Sequence, residues 1–315
     1  MRKVWMAVAA LTLWMSAQLP AFGAVEAIDF YKRSNDDDNF LSMVSNSLSQ
    51  IADRLKIEVK VYNHGGDTAK QLAAARKQAR PERVMVVRVN DPESTVELIK
   101  IAKEADTTII FTNVQPDFEA MLAYDKAWFV NTDAVEVAQA QAALVADYLQ
   151  KNPGWDRNGN GTLDLLYLKG PEHHNDAKER DLALKDTLRQ MGIKYQIVAS
   201  NSSEWSYEQG FKEMCDLLDA GRYGELDMVI SHGDEMAMGA IDALEQSELF
   251  RSGQEGYLPV FSVDGYPDAE NAVMRGAMVG TVFQNYRRMA MAILDVGLGH
   301  AADLEKHIKG VRIIN

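Results

Sequence analysis

Nine residues, Asp156-Arg157-Asn158-Gly159-Asn160-Gly161-Thr162-Leu163-Asp164, space oxygen donors as a hard cation requires. Asp156, Asn158, Asn160 and Asp164 fall at loop positions 1, 3, 5 and 9, and Gly161 falls at position 6, where the chain must turn sharply. Thr162, at position 7, would offer its backbone carbonyl. Calcium takes about six to eight oxygens, and Asp and Asn alternating around glycines can wrap them about one point. The pattern then leaves the EF-hand rule: position 12 is Tyr167 instead of a bidentate Glu, and residues 163–168 read as a strand. The missing carboxylate must come from elsewhere in the fold. The alternative reading is an Asn/Gly surface turn that holds no metal.

A second set of polar and aromatic residues recurs where strand-like segments end. Asn35-Asp36-Asp37-Asp38-Asn39-Phe40 follows the first, and Thr112-Asn113 ends the fourth. His173-His174-Asn175-Asp176, with Arg180 a turn further on, follows the strand after the loop. Glu204-Trp205, His232-Gly233-Asp234, Asp264 and Gln284-Asn285 close the following segments. Carboxylates, amides and a guanidinium can saturate sugar hydroxyls from fixed directions. Flat aromatic faces suit the C–H faces of a pyranose. Each residue also has a plainer reading. Asp38, Asp176 and Asp234 stand where helices start and could be N-caps. Asp176 and Arg180 could form a surface ion pair. Phe40 and Trp205 could be core or rim residues. His173 and His174 could ligate a metal, but no Cys or Glu stands at matching spacing beside them. The run Met236-Ala237-Met238-Gly239-Ala240 reads as a close-packed helix face.

The elements that must position these groups alternate regularly. Strand patterns at 28–31, 57–62, 84–89, 107–114 and 127–131 are interleaved with helical periodicity at 40–55, 68–79, 94–105 and 135–150. The series restarts with strands at 163–168, 195–199, 228–231, 258–263 and 279–283 and helices at 176–191, 207–218, 235–244, 268–275 and 286–298. Runs such as Met85-Val86-Val87 and Met228-Val229-Ile230 are apolar on both faces, the mark of a parallel sheet covered by helices. The fold class is α/β, with two doubly wound parallel-sheet lobes. Ligands of such sheets bind beyond the carboxyl ends of the strands.

With 315 residues the chain is long enough for two domains. Arg2 and Lys3, the apolar run 4–15 and Ala21-Phe22-Gly23-Ala24 predict a signal peptide over 1–24 and export to the periplasm. No later segment has 18 apolar residues in a row. A net charge of −13 argues against nucleic acid and against an anionic membrane surface. The single Cys215 excludes an internal disulfide, and its apolar-periodic surroundings predict a buried structural thiol.

These residues together make the chain resemble the periplasmic D-galactose/D-glucose-binding proteins of ABC sugar uptake and chemotaxis, of the type I periplasmic binding protein fold. Asp37-Asp38-Asn39-Phe40, Gly154-Trp155 with the loop, Leu168-Lys169-Gly170 through Arg180, Asp234 through Ala240, Pro259 through Asp264 and Gly280-Thr281-Val282-Phe283 carry the resemblance. It implies two lobes joined by three hinge crossings, 25–131 plus 286–309 and 132–285 plus 310–315, closing on one sugar. It implies a pyranose between Phe40 and Trp205, gripped by Asp38, Asn113, His174, Asp176, Arg180 and Asp264. It implies a structural Ca²⁺ held by Asp156, Asn158, Asn160, the Thr162 carbonyl, Asp164 and Asp227, the last replacing a Glu of the family. Two contacts depart from the pattern: Gly233 and Gln284 each stand where the family has Asn. His232 is a candidate to fill the space beside Gly233. The family's C-terminal tail is also missing here.

The implied function is hexose capture without catalysis, by a monomer read by an ABC permease and a chemoreceptor. A receptor for a pentose, a polyol or a signalling furanose is the nearest alternative. A glycoside hydrolase using Asp38, Asp176 and Asp264 is a further one, opposed by the expectation that carboxylates beside Arg180 stay ionised. A repressor core would need a basic DNA-binding segment where the signal stands.

Overall fold

The computed structural model describes residues 25–33, 39–202, 204–249, 253, 256–300 and 311–314. The first lobe begins β1 (Ala27–Lys32), α1 (Asn39–Asp53), β2 (Glu58–Asn63), α2 (Thr68–Gln78), β3 (Arg83–Val87) and α3 (Ser94–Glu104). It continues with β4 (Thr108–Phe111), the short α4 (Phe118–Met121) and β5 (Ala127–Thr132). The second lobe runs through α5 (Ala134–Lys151), β6 (Leu163–Lys169), α6 (Asn175–Gln190), β7 (Tyr195–Ser202) and α7 (Tyr207–Asp219). It closes with β8 (Met228–Ser231), α8 (Asp234–Gln246), β9 (Val260–Asp264), α9 (Pro267–Met274) and β10 (Gly280–Phe283). The chain then supplies α10 (Tyr286–Gly297) and β11 (Val311–Ile314).

The two sheets are wound alike. Strands β2-β1-β3-β4-β5 of the first and β7-β6-β8-β9-β10 of the second take the same spatial order, all pairs parallel. The inner strands β1, β3, β8 and β9 are buried along their whole length, as the doubly apolar runs predict. Each sheet has an apolar cluster on either face. In the first lobe one face packs Leu41, Val44 and Leu48 of α1 against Met289 and Ile293 of α10. The other packs Met85 and Val87 against Leu98 and Ala102 of α3. The second lobe packs Val229 and Val260 against α7 and α8, and Leu165 and Phe261 against α5 and α6. Within the first sheet, Arg83 forms a buried forked ion pair with Asp29.

The chain crosses between lobes at 132–134 and again at 283–286; residues 301–310, around the third expected crossing, lie outside the described set. The last strand corrects the sequence reading. The expected lobe boundaries place 310–315 in the second lobe, yet β11 pairs antiparallel with β5 of the first, Arg312 opposite Asn131. β5 would otherwise present an unpaired sheet edge, and Val-Arg-Ile-Ile is a strand-forming segment that covers it.

Candidate binding cleft and calcium loop

The carboxyl ends of both sheets face one cavity of about 500 Å³. Eight of the nine predicted sugar contacts line it: Phe40, Asn113, His174, Asp176, Arg180, Trp205, Asp264 and Gln284. The ninth, Asp38, lies outside the described residues. Phe40 enters from the first turn of α1, at the edge of the first-lobe core. Trp205 enters from the β7–α7 turn of the second lobe, half-buried.

The backbone is strained where these side chains are presented. Six non-glycine described residues have positive φ, and three of them are Asn113 (64°), Trp205 (61°) and Asp264 (121°). Holding a bulky or branched residue there costs about 1–3 kcal/mol, which the surrounding structure must offset. The surroundings of Trp205 explain how. A Cβ at Gly170 would lie 2.1 Å from the indole Cζ-edge carbon Cη2, so only glycine lets the ring seat against that strand end. The indole also meets His174 edge-on at 5.5 Å between ring centroids, and the Arg180 guanidinium lies 5.7 Å from it.

Polar groups on the floor are interlocked. Asn131 Nδ2 donates across the lobes to both oxygens of Asp176, at 3.1 and 2.9 Å. Arg180 is buried and donates Nη1 to the carbonyl of His232, while its Nε has no partner. Gln284 Nε2 donates to Asp264 at 2.5 Å, and its Oε1 accepts from Thr132 at the other crossing, 2.7 Å away. The longer Gln, standing where the family has Asn, thus ties the hinge to the cleft floor. Asp234 is not an N-cap: its carboxylate accepts from Tyr266 N and from Thr281 Oγ1. Asp176 likewise caps nothing, since the α6 cap position is His174 without a capping bond.

Electrostatics correct one expectation. The carboxylates beside Arg180 do not stay at ordinary pKa values. Burial pushes Asp176 up to about 6, against the opposing pull of Arg180. Burial, then the charge of Asp234, raises Asp264. Burial also raises Asp234. Burial between the lobes removes the water that would otherwise solvate these carboxylates. His174 is driven the other way, down to about 3, by burial and then by Arg88 and Arg180, so its imidazole is neutral. Its Nδ1 is buried without a partner and free to meet a hydroxyl.

His232 does not fill the space beside Gly233. It points into the core, bonded to the Tyr167 hydroxyl at 2.7 Å and accepting weakly from Gly170 N. A Cβ at Gly233 would stand 3.2 Å from Asp264 Oδ2 and 3.4 Å from Trp205, so these two occupy the region instead. His173 is exposed, 3.9 Å from Glu204. Cys215 is only partly buried, and burial raises its pKa, which leaves it unsuited to nucleophilic work.

Sequence reading missed several wall residues: Arg33, Arg88, Glu235 and Tyr266. Arg88 follows β3 directly, at a strand end, but stands inside the apolar run 84–89, which hides it from the strand-end rule. Asn39 donates across the cleft to Glu235, a pairing between helix starts that sequence spacing does not encode.

The loop at 156–164 has its own geometry. Asp156 gathers the amides of Gly159, Asn160 and Gly161. Asn158 and Asn160 place Nδ2 at 2.7 and 2.9 Å from Asp164 Oδ2, while their Oδ1 atoms accept from the amides of Asn160 and Thr162 at 3.0 and 2.7 Å. Asp227 holds the amides of Arg157 and Asp164 at 2.8 and 2.9 Å, so the distant carboxylate does reach the loop. Asp164 Oδ1 is buried without a partner. Burial raises the Asp227 pKa, and the charges of Asp164 and Asp156 add to it. Among the described residues no group of three or more His, Cys, Asp or Glu is arranged to hold a metal by itself. The donor set here is mixed, carboxylate with amide and carbonyl, and that chemistry fits a hard divalent cation.

Two hinged α/β lobes with a polar and aromatic cleft at their strand ends define a ligand-capturing receptor. The chain belongs to the periplasmic binding protein domain family, whose sequence profile matches residues 32–304. It is similar to the D-galactose/methyl-galactoside binding periplasmic protein MglB of Haemophilus influenzae, 24% identical over 82% of this chain and 77% of that protein. It is also similar to the ribose import binding protein RbsB of Escherichia coli, 23% identical over 78% of this chain and 75% of that one. Its fold matches an ABC transporter periplasmic solute binding protein from Actinobacillus succinogenes with bound D-allose, at TM-score 0.70 and 20% identity, covering 92% and 97% of the two chains. These relatives are binding proteins rather than enzymes.

Proposed function

We propose that the chain captures a monosaccharide of the hexose class in its cleft and delivers it to an ABC permease, with a chemoreceptor as a second reader. The observation that carries this is one cavity into which Phe40 and Trp205 project from opposite lobes, among paired hydrogen-bonding groups. About 500 Å³ lies within the usual range for a small-ligand site. His174 Nδ1 and Arg180 Nε are buried groups that a sugar hydroxyl would satisfy. Asp176 and Asp264 would accept hydroxyl hydrogens, and the rings would cover the apolar faces. Export by residues 1–24 to the periplasm and a monomeric state belong to the same reading. Charge and size argue against nucleic acid as a partner.

The loop would hold a structural Ca²⁺ through Asp156, Asn158, Asn160, the Thr162 carbonyl, Asp164 and Asp227. The cation would neutralise three clustered carboxylates and fasten β6 to the segment before β8. It takes no part in sugar capture.

Catalysis is not part of the proposal. Raised carboxyl pKa values no longer argue against an acid, but Asp176 and Asp264 are both held by side-chain amides. Calorimetric titration of the mature chain with glucose, galactose, xylose and ribose tests the reading. Hexose binding near the micromolar range, about −8 kcal/mol, is expected. Tighter binding of ribose than of either hexose would overturn the hexose assignment. Sustained chromophore release from a nitrophenyl hexoside would overturn the absence of catalysis.

A further inference from the structure

The last described strand reaches the cleft from behind. Arg312 on β11 stands directly opposite Asn131 on β5 in the antiparallel register, and residues so placed project from the same face. Both side chains end on the first turns of α6 in the other lobe. Asn131 donates to both oxygens of Asp176. Arg312 forks onto Glu179, Nη1 to Oε1 at 3.3 Å and Nη2 to Oε2 at 3.0 Å. Nη2 also lies 3.9 Å from Asp133, which caps α5 at the first crossing. Asp176, Glu179 and Arg180 share one face of α6 by their spacing.

We propose that Arg312 is a positioning residue for sugar binding, clamping Glu179 so that Asp176 and Arg180 are held against the first lobe when the cleft closes. The inference rests on the reading that the lobes close on a sugar. A contact between lobes stabilises only the state in which it exists, and so shifts the closing equilibrium. The guanidinium matches the carboxylate by two parallel bonds, which fixes orientation as well as distance. Arg312 is 32% exposed and Glu179 33%, so solvent screens part of the interaction.

The test compares Arg312→Ala, Glu179→Gln and the double variant with the parent, by calorimetric Kd and by small-angle scattering without ligand. Each single variant is expected to weaken binding roughly three- to tenfold and to enlarge the ligand-free radius of gyration. The double variant should be no worse than either single one. Arg312→Lys, which keeps the charge and loses the fork, should fall between. It also serves if the alanine variant fails to fold. Unchanged Kd and radius in both single variants, or losses that add, would overturn the clamp. If no sugar binds the parent, the scattering still decides the clamp, and the missing binding counts against the proposed function alone.

Discussion

Trp205 gathers three constraints in one residue: a left-handed backbone, a glycine seat at Gly170 and an edge contact with His174. Trp205→Ala should therefore weaken sugar binding about tenfold or more, ~1.5 kcal/mol from the lost ring contact. Its unfolding midpoint should move little, since the ring is only half-buried and alanine keeps the same strained backbone at positive φ. Gly170→Ala tests the seat without touching the ring. The indole must shift, and a loss of Kd comparable to that of the tryptophan deletion is expected. Normal affinity in this variant would show that the seat does not matter. Asp176 gives a pH prediction. Its folded-state pKa of about 6 lies above the unfolded carboxylate value near ~3.9. The proton bound in the native state thus contributes stability below about pH 4, and this is lost as pH rises through about 6. Asp176→Asn removes that dependence, and Asn131 Oδ1, buried without a partner, can accept from the new amide. The midpoint difference, variant minus parent, should rise between pH 4.5 and 7.5 in the ligand-free protein. A flat difference would contradict the raised pKa.

At the scale of elements, the calcium loop and β11 show two ways in which a short segment acts at a distance. The loop's nine residues would supply most of the oxygens, but Asp227 arrives from just before β8 and accepts from the amides of Arg157, the second residue of the loop, and Asp164, the second residue of β6. A bound metal would therefore join two strands of the second sheet. Saturation at a hundred times the dissociation constant would add about 2.7 kcal/mol. Differential scanning calorimetry should show a lower unfolding midpoint after chelation. Asp227→Asn should reduce the effect of chelation, because one carboxylate charge and a bidentate donor are lost. A midpoint indifferent to chelator would remove the metal from this account. Arg157, inside the loop, adds a second tie to the carbonyl of Leu226 and lies over the Tyr223 ring at 4.8 Å. Part of the loop's order therefore needs no cation.

For the whole molecule, the like winding of the two sheets places the strand ends of both lobes on a common cavity. Closure is written in hydrogen bonds that cross it: Asn39 to Glu235, Asn131 to Asp176, Asn175 to Gln115 and Arg312 to Glu179. Each joins one lobe to the other, so the closed arrangement has contacts of its own beside those a bound sugar would add. Saturating hexose should accordingly give only a modest decrease in radius of gyration relative to the free protein, read by small-angle scattering. A large compaction would mean that the crossing bonds contribute little without ligand. The closed face, not the sugar, is what a membrane permease would recognise.

Sequence alone determined the strand and helix alternation, because doubly apolar runs and helical periodicity are local properties of the chain. It also determined which residues end the strands, and with them Phe40, Asn113, Asp176, Arg180, Trp205, Asp264 and Gln284, since a parallel sheet brings all its carboxyl ends to one side. The turn over 156–164 was legible for a different reason, the local spacing of its Asp, Asn and Gly residues. Only the tertiary structure decided what depends on distant segments meeting. The β11 pairing could not be read locally, since an edge strand joins whichever sheet edge is open. Raised carboxyl pKa values follow from burial under the opposite lobe, which residue types do not reveal. The inward turn of His232, the ring seat at Gly170 and the reach of Arg312 across the hinge likewise arise from packing in three dimensions.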